Sequence, residues 1–522
     1  MPEKHIPGIE VQEDTIDEHS IANAPASITV FIGRTLRGPV NEPTTVRSFP
    51  GFEKIFGGLW TSSTLSFAVE QFFAHGGQHA IVIRVINGGE RATLDLPSAE
   101  QVLTLRAVNP GTGECLRASV DYDHIGENER DRFNLVLQSL AHRGSPVVLD
   151  QEIYRRVSVD PGSDRFVPGV LADSKLMRVQ GAVPGVRPDC VRLSGAGDDV
   201  RYRALDENGD DGDELSDYDV IGSAEEARGL FALRRVGLFN FLYIPPLAPG
   251  KDVRPVSLMV AARYCKERNA MLLVDAPARW ESAAEGWAQF RKLSLRSTNA
   301  AMFFPGLMAP DGISGEVREF PPCAAVAGAI ARADERGIIW HGESALTLRR
   351  RVRPSQYLSS QVASRMGEEG LNCLKKAGGS TRLDRRVWTL AGQESAVPAW
   401  RDFGARRLAL FILHSLARGT SWVVFERNPR GLRDKVCAQV AGFLSRLYRD
   451  GMLCGDSPGQ AYFVHCDVDK VAHPFSPGLR VTILVGLALL EGGDFQIFSI
   501  TLKDGGTKIR PHEDLPYTAV AV

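Results

Sequence analysis

Long apolar runs, paired cysteines and a surplus of either charge are all missing from this chain of 522 residues. The longest nearly apolar stretch, Val481 to Leu490, is about half the ~20 residues a bilayer-spanning helix needs, so no membrane span is expected. The opening Met1-Pro2-Glu3-Lys4-His5-Ile6-Pro7-Gly8 lacks the basic and apolar regions of a secretory signal, which points to folding in the cytoplasm. Eight cysteines (115, 190, 265, 323, 373, 437, 454, 466) include no C-x-x-C pair. They signal neither a zinc site nor a disulfide framework and read as small core residues. With 61 Lys+Arg against 63 Asp+Glu, the balance argues against a wholesale polyanion binder. Lysine itself is scarce, 12 of the 61 cations, and the 49 arginines suit planar ion pairs at protein interfaces.

Signatures of catalysis are equally sparse. GxGxxG and HExxH do not occur. Gly33-Arg34-Thr35-Leu36-Arg37-Gly38 has the spacing of a phosphate loop, but Pro39-Val40 stand where Lys and Ser/Thr would bind phosphate and magnesium. His75 and His79 bracket Gly76-Gly77, which would not hold a rigid metal site. Asp206, Asn208 and Asp210 match the first positions of a calcium loop, yet Asp211 replaces its glycine and Asp217 its bidentate Glu, so a solvated acidic loop is expected. Arg349-Arg350-Arg351-Val352-Arg353 has no interleaved aromatic residue and reads as a solvated or intersubunit face before a nucleic-acid site. Asp275 ends an apparent strand, where catalytic acids often sit in open α/β sheets. A capping or hydrogen-bonded role is the plainer reading.

What is present is a division. From Gly88 to Val220 there are 15 Lys+Arg against 25 Asp+Glu, a net of -10, and the remainder carries 46 against 38, a net of +8. The acidic stretch is turn-rich with short alternating runs and is expected to be a mostly β insertion, residues 88–220. On either side strands and helices alternate: Ser27 to Ile32, a helix through Leu65, Val69 and Phe72, Ile81 to Val85, Phe239 to Ile244, a helix around Ser257 to Glu267, Met271 to Val274, Ala301 to Phe304, and a helix from Pro322 to about Asp334. That rhythm predicts an α/β body with a largely parallel sheet over residues 25–87 and 221–390. Residues 391–504 read as a compact α+β domain. Leu408, Phe411, Ile412 and Leu416 share a helical face, Trp422 to Phe425 reads as a strand, and Asn428-Pro429 as a helix start. Leu432, Val436, Val440, Phe443, Leu444, Leu447 and Tyr448 then mark a long amphipathic helix. Strands are expected at Ala461 to Cys466, Arg480 to Leu484 and Phe495 to Thr501. Residues 1–24 and 505–522 read as extended arms, too sparse in apolar residues to bury themselves.

The order of many short motifs resembles the contractile tail sheath proteins of phages and related injection machines. They are Ile6-Pro7-Gly8-Ile9-Glu10-Val11, Phe31-Ile32-Gly33-Arg34-Thr35 with Arg37-Gly38-Pro39, Phe52 to Gly58, Phe72-Phe73 before Gly76-Gly77, and Ile83-Arg84-Val85. Tyr264-Cys265, Val274-Asp275-Ala276-Pro277, Pro321-Pro322 and Val326-Ala327-Gly328 follow. Most specific are Trp400-Arg401, Arg406-Arg407, Trp422-Val423-Val424-Phe425-Glu426-Arg427-Asn428, Phe443-Leu444, Gly451 to Gly455 and Ala461 to Asp467. The resemblance covers roughly residues 6–90 and 238–502. It departs at Arg427, where the family has proline, and at Arg386 to Gly392; the insertion matches nothing in it.

The resemblance implies a structural subunit, not an enzyme and without a cofactor, that polymerises as stacked hexameric rings around an inner tube and contracts to drive that tube through a target envelope. Its implied partners are further copies of itself, the inner tail tube protein, and baseplate and terminator proteins, with no nucleic acid or membrane. It implies assembly in the bacterial cytoplasm into a phage tail or injection particle. The C-terminal domain would face the tube. Arms from both ends would add strands to a neighbour's sheet, which assigns Ile6, Ile9, Val11, Ile509, Tyr517, Val520 and Val522 to intersubunit arms. Trp400, Arg406, Arg407, Trp422, Phe425, Glu426 and Asn428 would mark the assembly domain. The competing readings are a hydrolase-like α/β enzyme using Asp275, with an acidic accessory domain, and a non-contractile baseplate or shell component.

Overall fold

The computed structural model describes residues 20–191, 202–280, 282–335, 339, 345–349, 352–384, 386–425, 431–471, 478–503 and 506–511. Ile6, Ile9, Val11, Tyr517, Val520 and Val522, and the motif residues Glu426 and Asn428, lie outside them. The chain forms two compact units, Ser27–Ser395, and Ala396–Val522 together with Met1–Ala26.

In the first unit β1 (Thr29–Gly33), β2 (Thr44–Val46) and β3 (Ala80–Arg84) open the body sheet. β1 and β3 run parallel with Thr29 beside Ala80, and α2 (Thr64–Ala74) crosses between them, giving the expected β-α-β unit. Both strands are buried at every residue, as a parallel sheet covered on two faces requires. Before α2, helix α1 (Phe49–Phe56) begins where the Ser48 hydroxyl accepts from the Gly51 N–H, and stops at Gly57 with φ 91°.

The insertion holds β4 (Thr93–Ser98), β5 (Gln101–Ala107), β6 (Leu116–Asp121), β7 (Arg132–Leu140), β8 (Val148–Ser158), β9 (Met177–Gln180) and β10 (Arg203–Ala204). They make two antiparallel sheets, β4-β5-β9 and β10-β6-β7-β8, around a core of their own that includes Leu94, Leu103, Leu105, Phe133 and Leu135. Alternation in β4, buried at every second residue, is the local signal of this arrangement.

Back in the body come β11 (Phe241–Tyr243), α3 (Pro255–Glu267), β12 (Met271–Asp275), β13 (Ala300–Phe304), β14 (Leu307–Pro310), β15 (Val317–Phe320), α4 (Cys323–Asp334), β16 (Leu346–Thr347), β17 (Arg353–Pro354), β18 (Leu371–Ala377) and β19 (Ser380–Leu383). The nine-stranded sheet has the order β16-β19-β18-β13-β12-β11-β1-β3-β2, with its six central strands parallel. Small residues let α4 lie close on α2: a Cβ at Gly328 would collide with the Phe72 carbonyl oxygen.

The second unit contains α5 (Phe403–Gly419), α6 (Leu432–Arg449) and an antiparallel sheet in the order β20 (Tyr462–Val471), β21 (Gly478–Leu487), β22 (Gln496–Lys503), β23 (Gly506–Pro511). Asp402 caps α5 by accepting from the Ala405 N–H at 2.8 Å. Three expectations are corrected here. Trp422 to Phe425 belong to a 3-10 turn, Ser421–Phe425, not a strand. The Val423 N–H bonds back to the Thr420 carbonyl, so the backbone is satisfied locally. Gly506–Pro511 are not a free arm: they pair with β22, Ile509 opposite Ile500. Ile21 and Ala24 are buried, although the sequence reading left the whole N-terminal segment unpacked. Among the described residues no helix is long and apolar enough to cross a membrane.

Candidate assembly site

Two of the C-terminal motif residues, Trp400 and Arg406, meet in one aromatic cluster. The Arg406 guanidinium lies 4.6 Å from the Trp400 ring centroid, and Trp400 packs on Phe498 of β22 at 5.8 Å. Loss of water pulls the Arg406 pKa down to about 10, so it stays charged at neutral pH against an aromatic face. Arg407, on the next position of α5, donates to the Ala26 carbonyl at 3.0 Å. The 3-10 turn carrying Trp422 packs on β21 and β22. Trp400, Arg406, Arg407 and Trp422 therefore belong to one unit, with Ile509 in its sheet.

The same unit holds an anchor that the sequence reading missed. Ala24 N–H donates to Ser415 Oγ at 2.9 Å, and Arg446 of α6 donates to the Ile21 carbonyl at 2.8 Å. Ile21 fills the space left by the missing side chain of Gly419, where a Cβ would stand 2.7 Å from Ile21 Cγ2. The signal was faint: one glycine in the last turn of an otherwise bulky helix. Beyond this anchor the sheet presents open edges. β20, ten residues long, pairs among the described residues with β21 alone, and β23 with β22 alone.

Asp275 lies elsewhere, at the carboxyl end of β12 in the first unit. It lines a cavity of about 240 Å³ with Gln71, Tyr243, Trp280, Phe304 and Phe320. The Tyr243 hydroxyl donates to Asp275 Oδ2, and the Cys323 N–H, the first of α4, donates to Oδ1 at 3.0 Å. Burial pushes the Asp275 carboxyl up to about 6. Burial, and then the Asp275 charge, push the Tyr243 phenol and the Cys323 thiol well above their usual ranges. Both neighbours are held in their unreactive protonated forms, and the aspartate caps a helix. The acid thus has the hydrogen-bonded, helix-capping contacts of the plainer reading.

The acidic loop is also spoken for. Asp206 accepts from the Asp95 N–H at 2.7 Å and from Arg203 at 3.0 Å, Asn208 accepts from Arg143 at 3.3 Å, and Asp210 accepts from the Gly212 N–H at 2.8 Å. Among the described residues no three His, Cys, Asp or Glu side chains converge as metal ligands would.

No protein-family model and no curated protein matches the chain by sequence. Its architecture does match solved structures. The sheath tail protein of Listeria innocua aligns with a TM-score of 0.60 at 13% identity, over 93% of this chain and 97% of that one. The sheath tail protein of Desulfitobacterium hafniense gives 0.52 at 14% identity, over 92% and 96%. The sheath of the extracellular contractile injection system PVC, in its contracted state, gives 0.52 at 13% identity, over 94% and 95%. The alignments run through both units and span nearly the full length of either partner, so this chain has the fold of contractile sheath proteins.

Proposed function

We propose that this chain is the repeating subunit of a contractile sheath. The observation that carries the reading is the extent of the shared fold, more than nine-tenths of each chain. Two local features support it. The N-terminal segment is pinned at Ile21 to Ala26, so that residues before it leave from a fixed point, and the same unit offers the ten-residue edge of β20. Ile6, Ile9 and Val11 on one side, and Tyr517, Val520 and Val522 on the other, would then supply strands to neighbouring copies, with main-chain hydrogen bonds giving affinity. Ile509 sits in the strand from which the second arm departs. Head-to-tail contacts of this kind that do not close on themselves generate helical polymers.

In this reading subunits assemble in the bacterial cytoplasm as stacked hexameric rings around an inner tube, bounded by baseplate and terminator proteins. The C-terminal unit faces the tube and the acidic insertion faces solvent. Contraction draws on the packing difference between two polymer states, and the chain catalyses no reaction and needs no cofactor. The test removes residues 1–15 and leaves the Ile21 to Ala26 anchor intact. The truncated protein is expected to keep the melting temperature of the intact chain and to form no tubes by electron microscopy. Normal tubes from it would contradict strand donation by the N-terminal arm.

A further inference from the structure

The loop after β1 carries arginines that reach across to the insertion. Arg37 is 5% exposed, and its guanidinium spans two bodies. Nη1 donates to the carbonyls of Leu140 (3.0 Å) and Ala141 (3.4 Å) at the end of β7, inside the insertion. Nη2 donates to Glu53 (3.2 Å) and Lys54 (3.3 Å), carbonyls of the last turn of α1, where a cation is favoured by the helix dipole. Arg84, 1% exposed at the end of β3, repeats the pattern: Nη1 donates to Gly38 in the loop (2.7 Å) and Nη2 to Pro110 in the insertion (2.9 Å). Arg34 reaches the Asp211 and Gly212 carbonyls at 2.7 and 2.9 Å.

The insertion answers with Glu114, which accepts from the Gly38 N–H at 3.1 Å and faces both Arg84 and Arg37. Asp211 fixes the loop before it, accepting from the Thr112 N–H at 2.9 Å and hydroxyl at 2.7 Å. Backbones meet so closely here that only glycine fits. A Cβ at Gly113 would strike Leu36, and one at Gly111, where φ is 126°, would strike Arg84. Three guanidinium groups thus satisfy seven backbone carbonyls outside the loop, five of them in the insertion. Losing the Glu114 charge would remove the carboxylate that faces both buried guanidinium groups, leaving Asp211 near Arg84, a costly change at buried arginines.

Inserted domains joined by two crossings commonly move against their host, because such interfaces are modest and polar. We propose that Arg34, Arg37, Arg84 and Glu114 form a lock that makes the insertion and the α/β body one cooperative folding unit, so that the insertion is carried as a rigid extension of the body. The placement of both within Ser27–Ser395 as a single compact unit agrees with this. The inference concerns the single chain and stands apart from the sheath reading; in a polymer it means that any rotation of the body is passed to the insertion undiminished.

Hydrogen exchange on the intact chain, below the concentration at which it assembles, reads the lock directly. In the wild type the slowest amides of β6 and β7 are expected to open within threefold of those of β1 and β3, through one shared unfolding event. The double variant Arg37→Leu/Glu114→Gln is expected to separate them by at least tenfold, with amides at 84–90, 111–114 and 211–213 exchanging fastest. If that variant does not fold, Arg34→Ala, at a half-buried position, is measured instead, and the wild-type comparison decides by itself. A wild type in which the insertion opens independently of the body would overturn the proposal, as would a folded double variant in which the two still open together.

Discussion

Asp275 carries the clearest electrostatic consequence at the residue scale. Its carboxyl is raised from an ordinary 3.8 to about 6, chiefly because burial penalises the charge more than Tyr243 and the α4 N-terminus repay it. The neutral form is therefore the one the fold prefers. The stability it contributes is fully present below pH 4 and is lost as pH rises through 6. Asp275→Asn keeps an acceptor for the Cys323 N–H and removes the charge. It is expected to melt above the wild type at pH 8, with the gain falling below pH 6 and approaching zero only near pH 3.5. Thermal melts at the two pH values check this; a difference of the same size at both would mean that the charge is not the cause. The capping role was the plainer of the two readings open to an acid at a strand end. Its partner was not, because Cys323 lies 48 positions away and only the parallel sheet brings α4 over β12.

Elements whose pattern is local were legible, and those decided by neighbours were not. α6 keeps an apolar face over its 18 residues, and β1, β12 and β13 are apolar runs bounded by turn signals, so each is placed by its own sequence. Trp422 to Phe425 carries the same residue types as those strands but follows directly on α5, and its backbone closes into a 3-10 turn. β23 was hidden for the opposite reason: Thr507-Lys508-Ile509-Arg510 has too few apolar residues to announce a strand, and it becomes one only by pairing along β22. The segment at Ile21 depends on the facing surfaces of α5 and α6 in the same way. Gly419→Val should displace Ile21, at a cost of roughly 1–3 kcal/mol as for other overpacked sites. The Ala24 amide, now bonded to Ser415, is then expected to exchange at least tenfold faster than in the wild type. Unchanged protection would show that the anchor does not depend on that gap.

For the whole molecule, the divided charge and the order of motifs pointed to an α/β body bearing an acidic β insertion, followed by an α+β unit, and that is the architecture found. Two aspects depended on three-dimensional structure. The N-terminal segment belongs with the C-terminal unit, and the insertion is tied to the body by buried arginines whose partners are main-chain carbonyls, which leave no trace in side-chain patterns. The central claim is that this chain builds a sheath, and negative-stain electron microscopy of the purified intact protein, over a range of concentrations, tests it most directly. Striated tubes of stacked rings that lengthen with concentration are the predicted result; discrete particles that remain single subunits at every concentration would contradict it.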